Sequence, residues 1–279
     1  MIQEFEILDQ DFIQRAQQLI GDDFIQHYNL VDAVNNTMNG FVEFYDAFII
    51  TEDNDSWIIG LWVDGNYLLY GKNFTENQLK VLLKRIDLTT YQNGFHFLGT
   101  KELIERIVSS TEIKFSTFKK RLLYVCEKVN YYNQNPLQTI GYSKIKDAEE
   151  LSQMTCDYFE DEYKGKNNKD YDKILPEVNY QIEQKALWNL KVENELKSMC
   201  SVIKTGANVP IIGSFFTKRQ ARNLGFGQSL LFKVTDELLK NNNQCWLLAD
   251  EENLESIKIF EKVGYKNVYK TLDVIINND

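Results

Sequence analysis

Histidine is nearly absent from this chain: of 279 residues only His27 and His96 are histidine, and none lies between residues 97 and 279. A Ser-His-Asp or Cys-His hydrolase assembled within the second half is thereby excluded, as is a histidine-ligated metal site there. Cysteine is sparse as well. Cys126, Cys156, Cys200 and Cys245 stand far apart with no CxxC pair, which argues against a zinc knuckle or a disulfide framework and for reduced thiols in the cytoplasm. Basic residues are outnumbered, 31 Lys and Arg against 41 Asp and Glu, for a formal charge of −10. A general nucleic-acid binder needs a basic face instead. No stretch approaches the roughly 20 apolar residues of a membrane span. The opening MIQEFEILDQDF has neither the basic start nor the apolar core of a signal peptide. The expectation is a soluble cytoplasmic protein, with no nucleic-acid or membrane partner and no metal.

What is present is an ordinary globular mixture, 43% hydrophobic and 26% charged, over a length that suits two domains of near-average size. There is no low-complexity tract and no short-period repeat. The join is expected within KVNYYNQNPLQT, residues 128 to 139, where Asn and Gln cluster around Pro136 and apolar periodicity lapses. That gives an N-terminal domain over 1–132 and a C-terminal domain over 138–279.

In the first half, FVEFYDAFII, SWIIGLWVDG and NYLLYG carry the aromatic and β-branched residues of strands, separated by acidic and glycine turns. ENQLKVLLKRI and KELIERIVSS read as helices and TFKKRLLYVCEKV as a closing strand, an α+β arrangement. The second half opens with the short strand TIGYSKI and continues with one or two helices from KDAEELSQMTCDYFEDEYKG, where Leu151, Met154, Tyr158 and Phe159 recur at helical spacing. ENELKSMCSVIKTG and NVPIIGSFFT read as strands joined by a turn at Gly206, Ala207 and Asn208, with Pro210 near the start of its strand. Leu230, Leu231, Val234, Leu238 and Leu239 form the apolar face of a helix opening at Gln228. QCWLLAD is a buried strand, ENLESIKIFEKVGY a helix stopped by Gly264, and VYKTLDVII the last strand. The expected fold class is α+β, with a mixed sheet.

The stretch RNLGFGQSLLFK sets two glycines one residue apart ahead of that helix. Taken alone they fit two descriptions. One is a plain turn that uses the positive φ glycine allows. The other is a phosphate cradle, in which backbone N–H groups and the positive end of the helix dipole converge on an anion and Arg222 adds charge. A dinucleotide-binding Rossmann loop does not fit. Its glycines follow the strand directly, whereas Thr217 to Leu224 intervene here, and its third small residue is replaced by Leu230.

Arg222-Asn223-Leu224-Gly225-Phe226-Gly227 resembles the [QR]-x-x-G-x-[GA] motif of the GNAT superfamily of N-acyltransferases. Downstream, Asn253, Ser256, Ile259, Phe260, Lys262, Gly264 and Tyr265 fall at the offsets of the superfamily's N-x-x-S-x-x-[IL]-[YF]-x-K-x-G-[YF] pattern. The likeness is close over about residues 208 to 269. It extends in element order over 138 to 279, and the first half has the order of a degenerate copy of the same fold.

The resemblance implies an acetyl-CoA or other acyl-CoA donor. Its pyrophosphate would rest on the backbone of Arg222, Asn223, Leu224, Gly225, Phe226, Gly227 and Gln228. Its pantetheine arm would add like a strand along Ser214, Phe215, Phe216 and Thr217, with Asn253 and Ser256 near the thioester. On the residues alone, Asn253 is equally a helix cap and Ser256 a solvated position. Members usually transfer the acyl group directly in a ternary complex, often with a tyrosine on the last helix protonating the leaving thiolate. Phe260 stands at that position, leaving Ser256, Tyr265 or solvent as the acid and Asp250 as a candidate base.

The helix DAEELSQMTCDYFEDE, which the resemblance places beside the acceptor, is rich in carboxylates. It reads either as a solvated face or as an attractor for a cationic amine, with Glu160 and Glu162 as the candidate contacts. The functional expectation is an N-acetyltransferase of a small or amino-acid-like amine, acting as a monomer or homodimer. The alternatives are a non-catalytic acyl-CoA-binding module and a protein lysine or N-terminal acetyltransferase.

Overall fold

The computed structural model describes residues 1–5, 9–130, 132, 135–204 and 209–277. The first half runs β1 (Ile2–Phe5), α1 (Gln10–Ile20), α2 (Tyr28–Met38), β2 (Phe44–Thr51), β3 (Trp57–Val63), β4 (Asn66–Lys72), α3 (Glu76–Arg85), β5 (His96–Thr100), α4 (Lys101–Ser109) and β6 (Phe115–Cys126). The second half repeats this order: β7 (Gln138–Tyr142), α5 (Ala148–Tyr163), α6 (Tyr171–Glu183), β8 (Leu187–Val192), β9 (Glu195–Lys204), β10 (Pro210–Thr217), α7 (Phe226–Leu239), β11 (Cys245–Asp250), α8 (Leu254–Val263) and β12 (Lys266–Ile276).

Two compact units result, Met1–Arg121 with Tyr269–Asp279, and Leu122–Val268. The strand order is β1-β2-β3-β4-β5-β12 in the first and β6-β11-β10-β9-β8-β7 in the second. Each half thus lends its last strand to the other half's unit: β12 from Tyr269 onward belongs to the first unit, and β6 from Leu122 onward to the second. The sequence reading divided the chain at 132/138 and gave all of 138–279 to the second domain. The structure returns the C-terminal strand to the first because Leu272, Val274 and Ile276 complete a core there with Leu69, Phe97 and Ile104.

The elements follow from local chemistry. β3 is buried along nearly its whole length, so WIIGLWV reads as a continuous apolar run rather than an alternation. α3 begins with a capping box in which Thr75 and Gln78 satisfy each other's backbone N–H groups. β8 and β9 join through Glu193 and Asn194, both at positive φ, which suits a tight hairpin.

β8 is a strand the sequence reading omits. Its Asn189 is buried and donates to Ser143 Oγ at 2.9 Å, so the run does not announce itself as apolar. β5 is also missed, being five residues long with Gly99 inside it. A Cβ at Gly99 would lie 1.6 Å from the Leu69 carbonyl oxygen, so close strand contact requires the glycine there. β1, α1 and α2 were likewise not anticipated. The expected turn at Gly206, Ala207 and Asn208 lies outside the described residues.

In the second unit, Leu230, Leu231 and Val234 of α7 are fully buried and pack with Leu247, Phe260 and Tyr265. A second cluster places Leu151 and Met154 of α5 against Met199 and Phe216. The two clusters fix α5, α7 and α8 around the ends of β10 and β11.

Candidate active site

β10 and β11 run parallel but pair only at Ile211–Trp246 and Ile212–Leu247. Just beyond, β10 also slips its register with β9 between Gly213 and Phe216, and Ser214 takes φ 44°. This is a β-bulge at the point where the two parallel strands part. From Ser214 to Thr217 the edge of β10 therefore faces away from any β11 partner.

The chain then turns through a short 3-10 segment, Arg219–Ala221, to Asn223 and Gly225, both left-handed at φ 63° and 78°. Gly225 is the N-cap of α7 and supplies no side-chain hydrogen bond to it, so the first-turn N–H groups point outward uncapped. The helix opens at Phe226 rather than at Gln228 as the sequence reading had it, which draws Gly227 into its first turn. There a Cβ would fall 2.9 Å from Thr217 Oγ1 and 3.1 Å from Phe215 Cζ. A Cβ at the second glycine would press on these two side chains, and the first glycine is favoured by its backbone conformation.

Between this loop, β10, α5 and α8 lies a cavity of about 700 Å³. A smaller one of about 50 Å³ reaches between the ends of β10 and β11 as far as Ile212, Leu247 and Phe260. Tyr158, Glu162, Phe215, Asn253 and Ser256 line both and mark their junction. The larger cavity carries charge of both signs, with Arg222, Lys258 and Lys262 opposed by Asp161, Glu162 and Glu255.

Asp161 organises one wall. Its Oδ1 accepts from Arg219 at 2.7 Å and its Oδ2 from Arg222 at 2.5 Å. Burial alone would raise the Asp161 carboxyl, but hydrogen bonds from the two arginines outweigh it and hold the group below the ordinary carboxylate range. Arg222 also donates from Nε to the Thr217 carbonyl at 3.1 Å and lies 5.4 Å from the centre of the Phe216 ring.

The residues expected at the site are largely brought together. Arg222, Asn223, Gly225, Phe226, Gly227 and Gln228 line the larger cavity, as do Phe215, Phe216 and Thr217. Leu224 is 63% exposed and stands off the wall. Asn253 does what its capping role requires, its Oδ1 accepting from the Ser256 N–H at 3.1 Å, and it lines the cavity as well. Asp250 lies on the smaller cavity, where its Oδ1 also accepts from the Glu252 N–H at 2.9 Å.

Two expectations are corrected. Tyr265 is 2% exposed and lines neither cavity; its hydroxyl is held by Thr235 Oγ1 at 2.8 Å and Cys245 Sγ at 3.2 Å. Burial pushes that phenol well above its usual range, so it is a core group and not an acid at the site. Glu160 is off the wall too, its carboxylate taken by Arg219 at 2.7 Å. Glu162, by contrast, faces both cavities.

The sequence reading missed Tyr158, Asp161, Lys258 and Lys262. Spacing held a signal for three of them. Tyr158 and Glu162 are one helical turn apart, as are Lys258 and Lys262, so each pair shares a face.

The corresponding place in the first unit is closed. β4 and β5 pair in parallel from Asn66–His96 to Leu69–Gly99, and just past them the Gly71 N–H donates to Thr100 Oγ1 at 2.9 Å. The following helix, α3, is capped by its own Thr75 and Gln78, which take up the Gln78 and Thr75 N–H groups, so its N-terminus has fewer amides to offer than that of α7.

Comparison with known proteins bears on the fold. The family described as FR47-like protein matches residues 192–274. No curated protein sequence matches the chain. A GNAT-family acetyltransferase from Colwellia psychrerythraea superposes with a TM-score of 0.61 at 10% identity, covering 100% of both chains. A GCN5-related N-acetyltransferase from Sphaerobacter thermophilus gives 0.57 at 12% identity over 82% of this chain and 79% of that one. A tandem GNAT protein of the clavulanic acid biosynthesis pathway gives 0.53 at 9% identity, over 99% and 98%. The chain has the fold of the GNAT acetyltransferases in its tandem form, and most of the stretch that matches the FR47-like family lies in its second unit.

Proposed function

We propose that the protein is an N-acetyltransferase that passes an acetyl group from acetyl-CoA to the amine of a small-molecule or amino-acid-like acceptor, directly and in a ternary complex. The observation that carries this reading is the conjunction, in the second unit, of a strand edge opened by a bulge and a helix N-terminus whose cap, Gly225 at φ 78°, supplies no side-chain hydrogen bond. The helix amides suit a diphosphate. The open edge of Ser214 to Thr217 suits the amide-bearing pantetheine arm, held by main-chain hydrogen bonds. A thioester then reaches the junction of the two cavities, beside Asn253 and Ser256.

The chain's residues would contribute mainly by holding amine and thioester in line. A cationic amine is favoured by Glu162 on the α5 wall. One observation supports a second reading, a CoA-binding module without catalysis. Phe260 has no proton to give, and Tyr265 is sealed in the core. Incubating the protein with acetyl-CoA and a panel of amines, while following free thiol, separates the two. Thiol release that depends on an amine supports the transferase, whereas CoA binding with no turnover on any amine supports the module.

A further inference from the structure

We propose that β7 is a self-association edge, at which two copies of the chain pair antiparallel about a twofold axis through Ile140. β7 (Gln138–Tyr142) ends the strand order of the second unit, with β8 on its inner side and no described strand on its outer one. Edge strands are ordinarily protected against such pairing by charge, proline or a bulge. QTIGY holds no charge and no proline, and its pairing with β8 runs from Gln138–Val192 to Tyr142–Trp188 without a bulge. The edge strand of the first unit differs. β1 carries Glu4, whose carboxylate accepts from Arg85 at 2.8 Å.

The outer side of β7 has main-chain groups to offer. The Ser143 N–H donates to the Leu187 carbonyl at 2.8 Å, toward β8, so alternation along the strand turns the main-chain groups of Ile140 and Tyr142 to the outer side. An axis through Ile140 lets that residue exchange both N–H···O bonds with its counterpart in the other copy. The Tyr142 N–H then meets the Gln138 carbonyl across the axis, while the Gln138 N–H stays with the Asn135 carbonyl at 3.1 Å.

A second copy fits because a twofold interface must be complementary to itself, and this edge is. Under the axis Tyr142 faces Gln138, and Thr139 faces Gly141, where nothing lies within 4 Å of an added Cβ. Leu137, Tyr142 and Ile145 are exposed at this edge, and the Tyr142 ring rests on Trp188 at 4.2 Å between centres, which gives the pair apolar area beyond its ladder. Charge matches as well. Lys144 stands exposed past one end of β7, and Glu193 stands exposed in the β8–β9 turn at the other end, next to the Val192–Gln138 pair. The axis carries Lys144 of each copy to about two strand spacings, roughly 10 Å, from Glu193 of the other, a span that the two extended side chains close. The net charge of −10 opposes the meeting of two copies in general, but β7 contributes none of it.

Sedimentation equilibrium of the full-length protein tests this. The mass should rise toward that of two chains with increasing concentration. Thr139→Lys, at an exposed position, sets two lysines diagonally across the axis and should raise the dimer Kd about tenfold or more. Lys144→Glu and Glu193→Lys should each raise it about fivefold. The two reversals together should restore the parent value, a rescue that requires the two charges to face each other between copies. A protein that stays monomeric at every concentration overturns the proposal. So does a dimer whose Kd is untouched by Thr139→Lys, or a double reversal that associates no better than either single one. Melting curves check each fold, and the charge reversals carry the test alone if Thr139→Lys does not fold.

Discussion

Arg222 and Asp161 are joined across 2.5 Å, from Nη2 to Oδ2, while the same guanidinium donates from Nε to the Thr217 carbonyl at 3.1 Å. The arginine therefore ties the glycine loop both to the strand before it and to helix α5. Asp161→Asn keeps the shape and removes the charge. The pair is partly exposed, which limits its worth to about 1 kcal/mol. The expected result is about fivefold weaker CoA binding by calorimetry, with little change for acetyl-pantetheine, which lacks the diphosphate. Equal weakening of both ligands would show that Asp161 supports the unit at large rather than the loop.

The two glycines should fail in different ways. At Gly225 nothing lies within 4 Å of an added Cβ, but φ is 78°, so Gly225→Val strains the loop without crowding its neighbours. CoA binding should drop at least tenfold, with a loss of roughly 1–3 kcal/mol in stability. At Gly227 the obstacle is steric, with Thr217 and Phe215 at 2.9 and 3.1 Å. Gly227→Ala should displace those two side chains slightly and cost about 1 kcal/mol, the low end of overpacking. Chemical denaturation alongside calorimetry distinguishes them. A Gly225→Val protein that binds CoA with the parent's affinity would remove the loop from the donor site.

Much of the second unit was legible from residues because its devices are local. Gly225, Gly227, Asn253 and Gly264 announce a turn into a helix, a cap and a stop by identity and spacing. Gly264 is required where it stands, at φ 123° with the Lys128 carbonyl 2.7 Å from where a Cβ would be. What was not legible depends on long-range contact. The return of β12 to the first unit is decided by where Leu272, Val274 and Ile276 find apolar partners, and no local pattern encodes that choice. Tyr265 matched a site motif yet points into the core, because motif offsets fix the position of a residue and not the direction of its side chain. Glu160 and Glu162 looked equivalent in the sequence; helical phase turned one to Arg219 and the other to the cavities.

The contrast between the two units predicts one donor site per chain. The second unit parts its parallel strands and leaves its helix uncapped. The first keeps β4 and β5 paired through Leu69–Gly99, bridges Gly71 to Thr100, and closes α3 with a capping box. Calorimetric titration with CoA should saturate at one equivalent. Gly225→Val should abolish the whole of the heat rather than half of it. Two equivalents, or a residual half in the variant, would place a second site in the first unit.

His27 makes the first unit sensitive to acid. It is 2% exposed, set edge-on among Trp57, Tyr70 and Tyr269 at 5.3, 5.3 and 5.6 Å between ring centres. Burial lowers its pKa from 6.5 to about 4, against a weaker upward pull from Asp23. The unfolded chain therefore takes up a proton near pH 6.5 that the folded chain refuses until about pH 4. Stability that is fully present above pH 6.5 declines as the pH falls through this window, by about 3 kcal/mol for the complete shift. The only other histidine, His96, pairs with Asp273 at 2.8 Å, and carboxylates begin to titrate at the lower end of the range. The informative quantity is accordingly the difference between the parent and His27→Phe, an aromatic replacement that cannot take the proton. Urea midpoints measured from pH 7.5 to 4.5 should fall more steeply for the parent than for the variant. Parallel curves would mean that protonated His27 is accommodated in the folded state, by water or by a shift of α2, and that the aromatic surround is not a barrier to charge.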